Sequence, residues 1–182
     1  MTNDSGRATI TFTPPVVSGP VRVRLVSPGV DTLTVMLFVG VPGLIELPES
    51  SQYGLTGASA LTPLHTCCNH WGARAMVDSL KVLADSVAAR ASTEITYNDI
   101  SLRWGGIFEV GRDSLRWRPP HSWHRIGLDV DIRTHGVSFR DRQLIAGFWG
   151  RIGGFVVDEV RLDSLGNETS NSHWHLAVRR NR

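Results

Sequence analysis

From Ala8 to about Leu47, apolar and polar residues alternate in short runs. Ala8 to Thr13 and Val21 to Val26 alternate, and Thr32 to Val39 is rich in Thr, Val, Leu and Phe. Side chains two apart on a strand share a face, so each run reads as a strand. Pro14-Pro15, Ser18-Gly19-Pro20, Pro28-Gly29 and Pro42-Gly43 punctuate them as turns. The pattern predicts a small β module, a sandwich or part of one, followed by a polar connector over 48–69. The period then changes. Trp71, Ala75, Leu80, Leu83 and Val87 recur at helical spacing, which predicts a helix from about His70 to Ala91 with Asn69 as its cap. Thr93 to Tyr97 reads as a strand, Asn98-Asp99 as a turn, and Gly105-Gly106 as a tight backbone position. Trp117-Arg118-Pro119-Pro120 reads as an extended approach to the run that begins at His124. Ala146 to Val157, apolar and glycine-rich, reads as a short helix and then a strand.

Two later runs carry both pattern and chemistry. Leu128, Val130 and Ile132 alternate with Asp129, Asp131 and Arg133; Trp174, Leu176 and Val178 alternate with His173, His175 and Ala177. Each would pack one face into a core and present polar groups on the other. A helix followed by several strands predicts an α+β domain with a mostly antiparallel sheet. The expected division is an N-terminal β-rich module and connector over 1–60 and a second domain over 61–182.

Composition excludes several classes. With 41% hydrophobic and 20% charged residues, the 182-residue chain has the make-up of a folded protein rather than a disordered one. A net charge of +2 gives no reason to expect a nucleic-acid partner. No segment approaches the ~20 apolar residues of a membrane span. The start, Met1-Thr2-Asn3-Asp4-Ser5-Gly6, lacks the basic and apolar regions of a signal peptide. The adjacent Cys67 and Cys68 cannot staple distant segments, so no disulfide scaffold is expected. They read as small buried thiols; a second metal site with His65 and His70 is the less favoured reading, His70 being expected to open the helix.

His124 is followed seven residues later by Asp131, and His173-Trp174-His175 offers two imidazoles on one strand face. A catalytic zinc site uses three protein ligands of these kinds and keeps a fourth position open. Asp129 can orient a ligand histidine or be a solvated carboxylate. His121 can line a cleft or be a turn residue after Pro120. Arg103 and Arg116 can hold a substrate carboxylate or be solvated. Trp104, Trp117 and Trp123 can line a groove or pack at a rim. His135, before Gly136, reads as a surface residue.

Ser122-x-His124-x-x-Gly127-x-x-x-Asp131 followed by a late His-x-His resembles the metallopeptidase group that includes lysostaphin-type enzymes and D-Ala-D-Ala peptidases. The run His124 to Ile132 is especially similar to penicillin-insensitive murein endopeptidases. Asn98-Asp99-Ile100-Ser101-Leu102-x-x-Gly105-Gly106-x-Phe108, then Pro119-Pro120-His121, resembles uncharacterised relatives of the same group. The resemblance covers about residues 65 to 178. It implies an antiparallel-sheet zinc peptidase domain (hedgehog/D-Ala-D-Ala peptidase-like), with His124, Asp131 and His175 as Zn2+ ligands. It implies His173 as catalytic base or transition-state stabiliser, with Asp129, Ser122, His121 and Arg103 around the metal or substrate. One departure stands out. The D-Ala-D-Ala branch has a glutamate three residues before its last ligand histidine, where this chain has Ser172; the nearest glutamate, Glu168, is seven residues before His175. This favours the endopeptidase-like branch. The expected function is hydrolysis of amide bonds in peptidoglycan cross-links or stem peptides, outside the cytoplasm at the cell wall. The alternative is an inactive zinc-containing cell-wall binding or adhesion module.

Overall fold

In the computed structural model of the chain, the residues described are 7–26, 29, 31–56, 69–107 and 121–178. They form a mixed α+β architecture with mostly antiparallel sheets. β1 (Gly19–Leu25) and β2 (Leu33–Val39) pair antiparallel as a two-stranded sheet. β3 (Leu44–Glu46) pairs antiparallel with β5 (Trp71–Ala73). The main sheet has five strands in the order β4 (Tyr53–Leu55), β6 (Ile95–Tyr97), β7 (Asp129–Arg133), β9 (His173–Val178) and β8 (Gly154–Glu159). The β4–β6 pair is parallel and the others are antiparallel.

The register explains the two faces of this sheet. Val130 opposes Leu176 and Ile132 opposes Trp174, so these four share one face; all are buried in the main core. Asp131 opposes His175 and Arg133 opposes His173, so the polar set shares the other. α1 (Arg74–Ala88) supplies Met76, Val77, Leu80, Leu83, Ala84 and Val87 to the core, a stripe at helical spacing. The Tyr97 hydroxyl donates to the Leu80 carbonyl at 2.6 Å and ties β6 to this helix. α3 (Phe139–Arg151) contributes Ile145 and Trp149, and the Trp149 indole N–H donates to the Ala177 carbonyl at 3.0 Å. Ser138 caps α3 by accepting the Asp141 N–H at 3.1 Å.

Several expectations need correction. α1 begins at Arg74, not near residue 70, and Asn69 does not cap it; Ala73 stands at the cap with no side-chain bond. The residues before it are committed elsewhere. The Trp71 N–H donates to Ser101 at 3.1 Å, the Ala73 N–H to Gly127 at 2.9 Å, and the Asn69 amide to the Asp99 carboxylate. Trp71 therefore lies on a strand, and Ala75 is exposed. His70 sits in a bridge to Ser101 with its Nε2 2.8 Å from the Thr56 carbonyl, rather than opening the helix. Asn98-Asp99 is not a turn: the Asn98 N–H donates to the Asp131 carbonyl and the Asp131 N–H to the Asp99 carbonyl, which continues the pairing beyond β6. No strand forms over Ala8 to Thr13, and β1–β2 is a two-stranded sheet rather than a sandwich. The stretch before residue 60 divides: β1 and β2 pair with each other, whereas β3 and β4 pair with strands after it, and Leu47 and Tyr53 are buried in the main core. The helix and strand read in 146–157 are α3 and β8, with longer bounds.

Candidate metal centre

The site is built where the turn after α2 (His121–His124) leads into β7. The Gly127 N–H donates to the His124 carbonyl and the Leu128 N–H to the Trp123 carbonyl. Gly127 has φ +67°, and a Cβ there would lie 2.7 Å from Leu44 Cδ2 and 2.8 Å from the Ala73 nitrogen. Only glycine lets the turn press this closely on β5, which swings His124 over the polar face of β7 and β9.

Four side chains converge there: His124, Asp129, Asp131 and His175, all buried. His124 Nε2 is 3.2 Å from Asp131 Oδ1, 3.4 Å from Asp129 Oδ2 and 3.3 Å from His175 Nδ1. His175 Nδ1 is 3.1 Å from Asp129 Oδ2 and 2.7 Å from Asp131 Oδ1. Atoms bound at 2.0–2.2 Å around a tetrahedral cation stand about 3.4 Å apart, so most of these separations match the edges of a coordination shell. Asp129 Oδ1 is buried with no hydrogen-bond partner among the described residues. Buried carboxylate oxygens without donors are costly, and a cation would satisfy them. The His124 Nδ1–H donates to the Ile100 carbonyl at 2.8 Å, which leaves the Nε2 lone pair aimed at the cluster. These four residues could hold a metal ion.

Without a cation the cluster must hold protons. Burial opposes charge on His124, but Asp131 and Asp129 override it and raise its pKa to about 9. His175 behaves likewise: burial is outweighed by hydrogen bonding and attraction to Asp129 and Asp131, and its pKa rises to about 10. Burial works against the Asp131 charge too, yet His124 and His175 hold that carboxyl well below the usual range. Bound protons thus mark where positive charge is wanted.

A more accessible rim lies beside the cluster. His173 is two residues from His175 on the same face, and its Nδ1–H donates to the Asn171 carbonyl at 2.9 Å. Its Nε2 is 3.6 Å from Glu159 Oε2. Glu159 Oε1 is 3.4 Å from His175 Nε2 and 3.6 Å from His121 Nε2. Side-chain exposure falls from 44% at His121 to 24% at Glu159, 18% at His173 and none at His175, so the groups grade from solvent to interior. Burial and the nearby His175 lower the His121 pKa.

The structure thus brings His124, Asp131 and His175 together and adds Asp129, which is buried rather than solvated. His121 lies on α2 with its ring centroid 4.9 Å from that of His175, beside the cluster and not in a turn. Ser122, also on α2, makes no side-chain hydrogen bond among the described residues. Arg103 stacks over Trp71 and Trp104 at 5.5 and 5.8 Å from their centroids, outside the cluster. Trp123 packs edge-on against Phe155 at 5.2 Å, as a rim residue would. His135 is exposed. His65, Cys67, Cys68, Arg116 and Trp117 lie outside the described residues.

Sequence reading missed Glu159. Glu159 pairs with His173 and Val157 with His175 across β8–β9, so an alternation followed two residues past Val157 finds it. Glu168, the nearest glutamate along the chain, belongs elsewhere: it accepts from Thr134 at 2.8 Å and pairs with Arg142. Comparison with family models and with curated proteins finds no match for this chain.

Proposed function

We propose that the chain is a zinc-dependent peptidase that hydrolyses amide bonds of peptidoglycan cross-links or stem peptides. The observation that carries the reading is the meeting of His124 Nε2, Asp131 Oδ1 and His175 Nδ1 within 2.7–3.3 Å of one another, beside the partly exposed His173. Imidazoles with a carboxylate suit zinc. When bound, zinc would supply a Lewis acid that polarises a carbonyl and brings the pKa of water towards ~7. The chain's own residues do the rest. Ile100 fixes the His124 tautomer, and the strand register presents His175 Nδ1 beside Asp131. His173, with Nδ1–H given to Asn171, keeps its Nε2 lone pair for accepting a proton and returning it to the leaving amine. The choice of peptidoglycan rests on the resemblance of His124 to Ile132 to murein endopeptidases. No described helix is long and apolar enough to cross a membrane.

Metal analysis of the purified chain followed by digestion of isolated peptidoglycan tests the reading. New amino and carboxyl ends in the peptides are expected, with glycan strands uncut and release stopped by a zinc chelator. New reducing sugar ends, or products undiminished in chelator, would overturn it.

One observation favours a second reading. Asp129 Oδ2 lies about as near to both imidazoles as Asp131 does to His124. If Asp129 is a fourth ligand the metal is closed off, as in structural sites, and the chain is a binding or adhesion module. Asp129→Asn that keeps both metal and turnover supports the enzyme; loss of metal, with no turnover in the parent protein, supports the module.

A further inference from the structure

The carboxylate of Glu159 stands between the buried cluster and the rim. Three imidazole nitrogens face it at nearly equal distance: His175 Nε2 at 3.4 Å, His121 Nε2 at 3.6 Å and His173 Nε2 at 3.6 Å. His175 Nε2 is buried and has no hydrogen-bond partner among the described residues. The other nitrogen of that ring faces Asp129 and Asp131. A ring that gives one nitrogen to a metal is normally steadied through the other, usually by a carboxylate or a carbonyl. His124 already has such a support in the Ile100 carbonyl, at 2.8 Å. Glu159 Oε1 is the nearest carboxylate oxygen to the outer nitrogen of His175, and Oε2 reaches His173 from the same group.

Resting on the peptidase reading above, we propose that Glu159 is the positioning residue of this site. One oxygen faces the His175 Nε2–H and fixes that ring plane, and the other takes the Nε2–H of His173 once that ring has accepted its proton, which holds His173 over the same face. The β8–β9 register makes this possible, because Glu159 opposes His173 directly and follows Val157, which opposes His175. Glu159 ends its strand and is partly exposed, so its side chain does not hold up the core.

The test uses the full chain and zinc alone before any substrate. Glu159→Gln keeps the shape and removes the charge; Glu159→Ala removes both. Both should still bind one zinc, with affinity weakened about 10-fold to 100-fold, the usual range for a lost outer partner. With cobalt in place of zinc, both variants should shift the visible ligand-field bands. On peptidoglycan they should lower kcat more than they raise KM, since His173 is misplaced in the bound complex. Parent-like far-ultraviolet dichroism of both variants secures the comparison. Parent-like zinc affinity and cobalt bands in Glu159→Ala would overturn the proposal. So would a second zinc in the parent that both variants lose, since Glu159 would then be a ligand. If the affinity and bands change as expected while the parent releases no peptide products, the positioning role stands and the peptidase reading falls.

Discussion

The β1–β2 pair and the β7–β9 pair are both regular antiparallel ladders, and the first is the longer, seven opposed residues against five. Their burial is opposite. In β7 every residue but Arg133 is buried, whereas in β2 none is, and Leu33, Met36 and Phe38 are each more than half exposed. Alternation is present in both sequences. What differs is coverage. β7 and β9 have α1 and α3 over one face and the turn carrying His124 over the other; among the described residues β1 and β2 have no strand beyond each other. Strand pairing alone therefore does not make a core or a site. The site lies where a sheet is covered on both sides, because only there are carboxylates and imidazoles dry enough to attract one another strongly.

The largest effects should come from the covered pair. Alanine at His124, Asp131 or His175 should remove metal binding by more than the roughly 100-fold typical of outer-partner losses. His173→Ala should keep the zinc and lower turnover by about 10²–10⁴-fold. Full zinc occupancy in all three ligand variants, or parent-like turnover in the His173 variant, would break the contrast at its centre.

Next comes the opposite face of the same ladder. Leu176 is fully buried between Val130 and Val156, its partners on the two neighbouring strands. Leu176→Ala should cost about 2–5 kcal/mol in denaturant unfolding, through lost burial and the cavity left behind. A cost under about 1 kcal/mol would mean that this ladder is no better covered than the hairpin.

The third effect is a pH dependence confined to the metal-free protein. His124 and His175 have pKa values raised to about 9 and about 10 from an ordinary 6.5, burial being outweighed by Asp129 and Asp131. A raised imidazole stabilises the fold fully below its unfolded value and loses that contribution as pH climbs through the folded value. Metal-free protein should lose stability progressively from about pH 6.5 to about 10. Zinc should flatten that loss, because the cation takes the place of the protons. A metal-free melting curve that is level across this range would show that the four groups do not share charge.

How far the sequence discloses all this depends on what holds each part. β7 and β9 are legible because period-two alternation survives wherever one face is apolar and the other functional. The middle of α1 is legible for the same reason, at period 3.6. Its start is not: Asn69 has the chemistry of a cap, but the backbone of 69–73 is taken by Ser101, Gly127 and Leu47, partners distant in sequence. β4 hides in a polar connector because Tyr53 alone is buried among its three residues, and the strand exists through pairing with β6. Asp129 is ambiguous on its own and becomes part of the cluster only once His124 is folded over it. Glu159 is reached only through the register of β8 on β9.

The smallest expected effect lies on the hairpin. Leu33 begins β2 opposite Leu25 and is 57% exposed, so Leu33→Thr removes little buried area and puts a β-branched residue on a strand. The change should stay within about 0.5 kcal/mol, the usual range for surface substitutions, and leave zinc affinity as it was. Phe38 marks where the hairpin stops being independent. Its ring meets Trp104 edge-on at 5.0 Å, and the Val41 N–H donates to the Trp104 carbonyl just beyond the strand. Phe38→Ala should therefore cost more than Leu33→Thr, by about the 0.5–1.5 kcal/mol of an aromatic pair. The order of the two matters more than their size. If Leu33→Thr proves the costlier, the outer end of the hairpin is covered in solution by something, and the contrast between an open ladder and a closed one would have to be redrawn as one between two closed ladders with different covers.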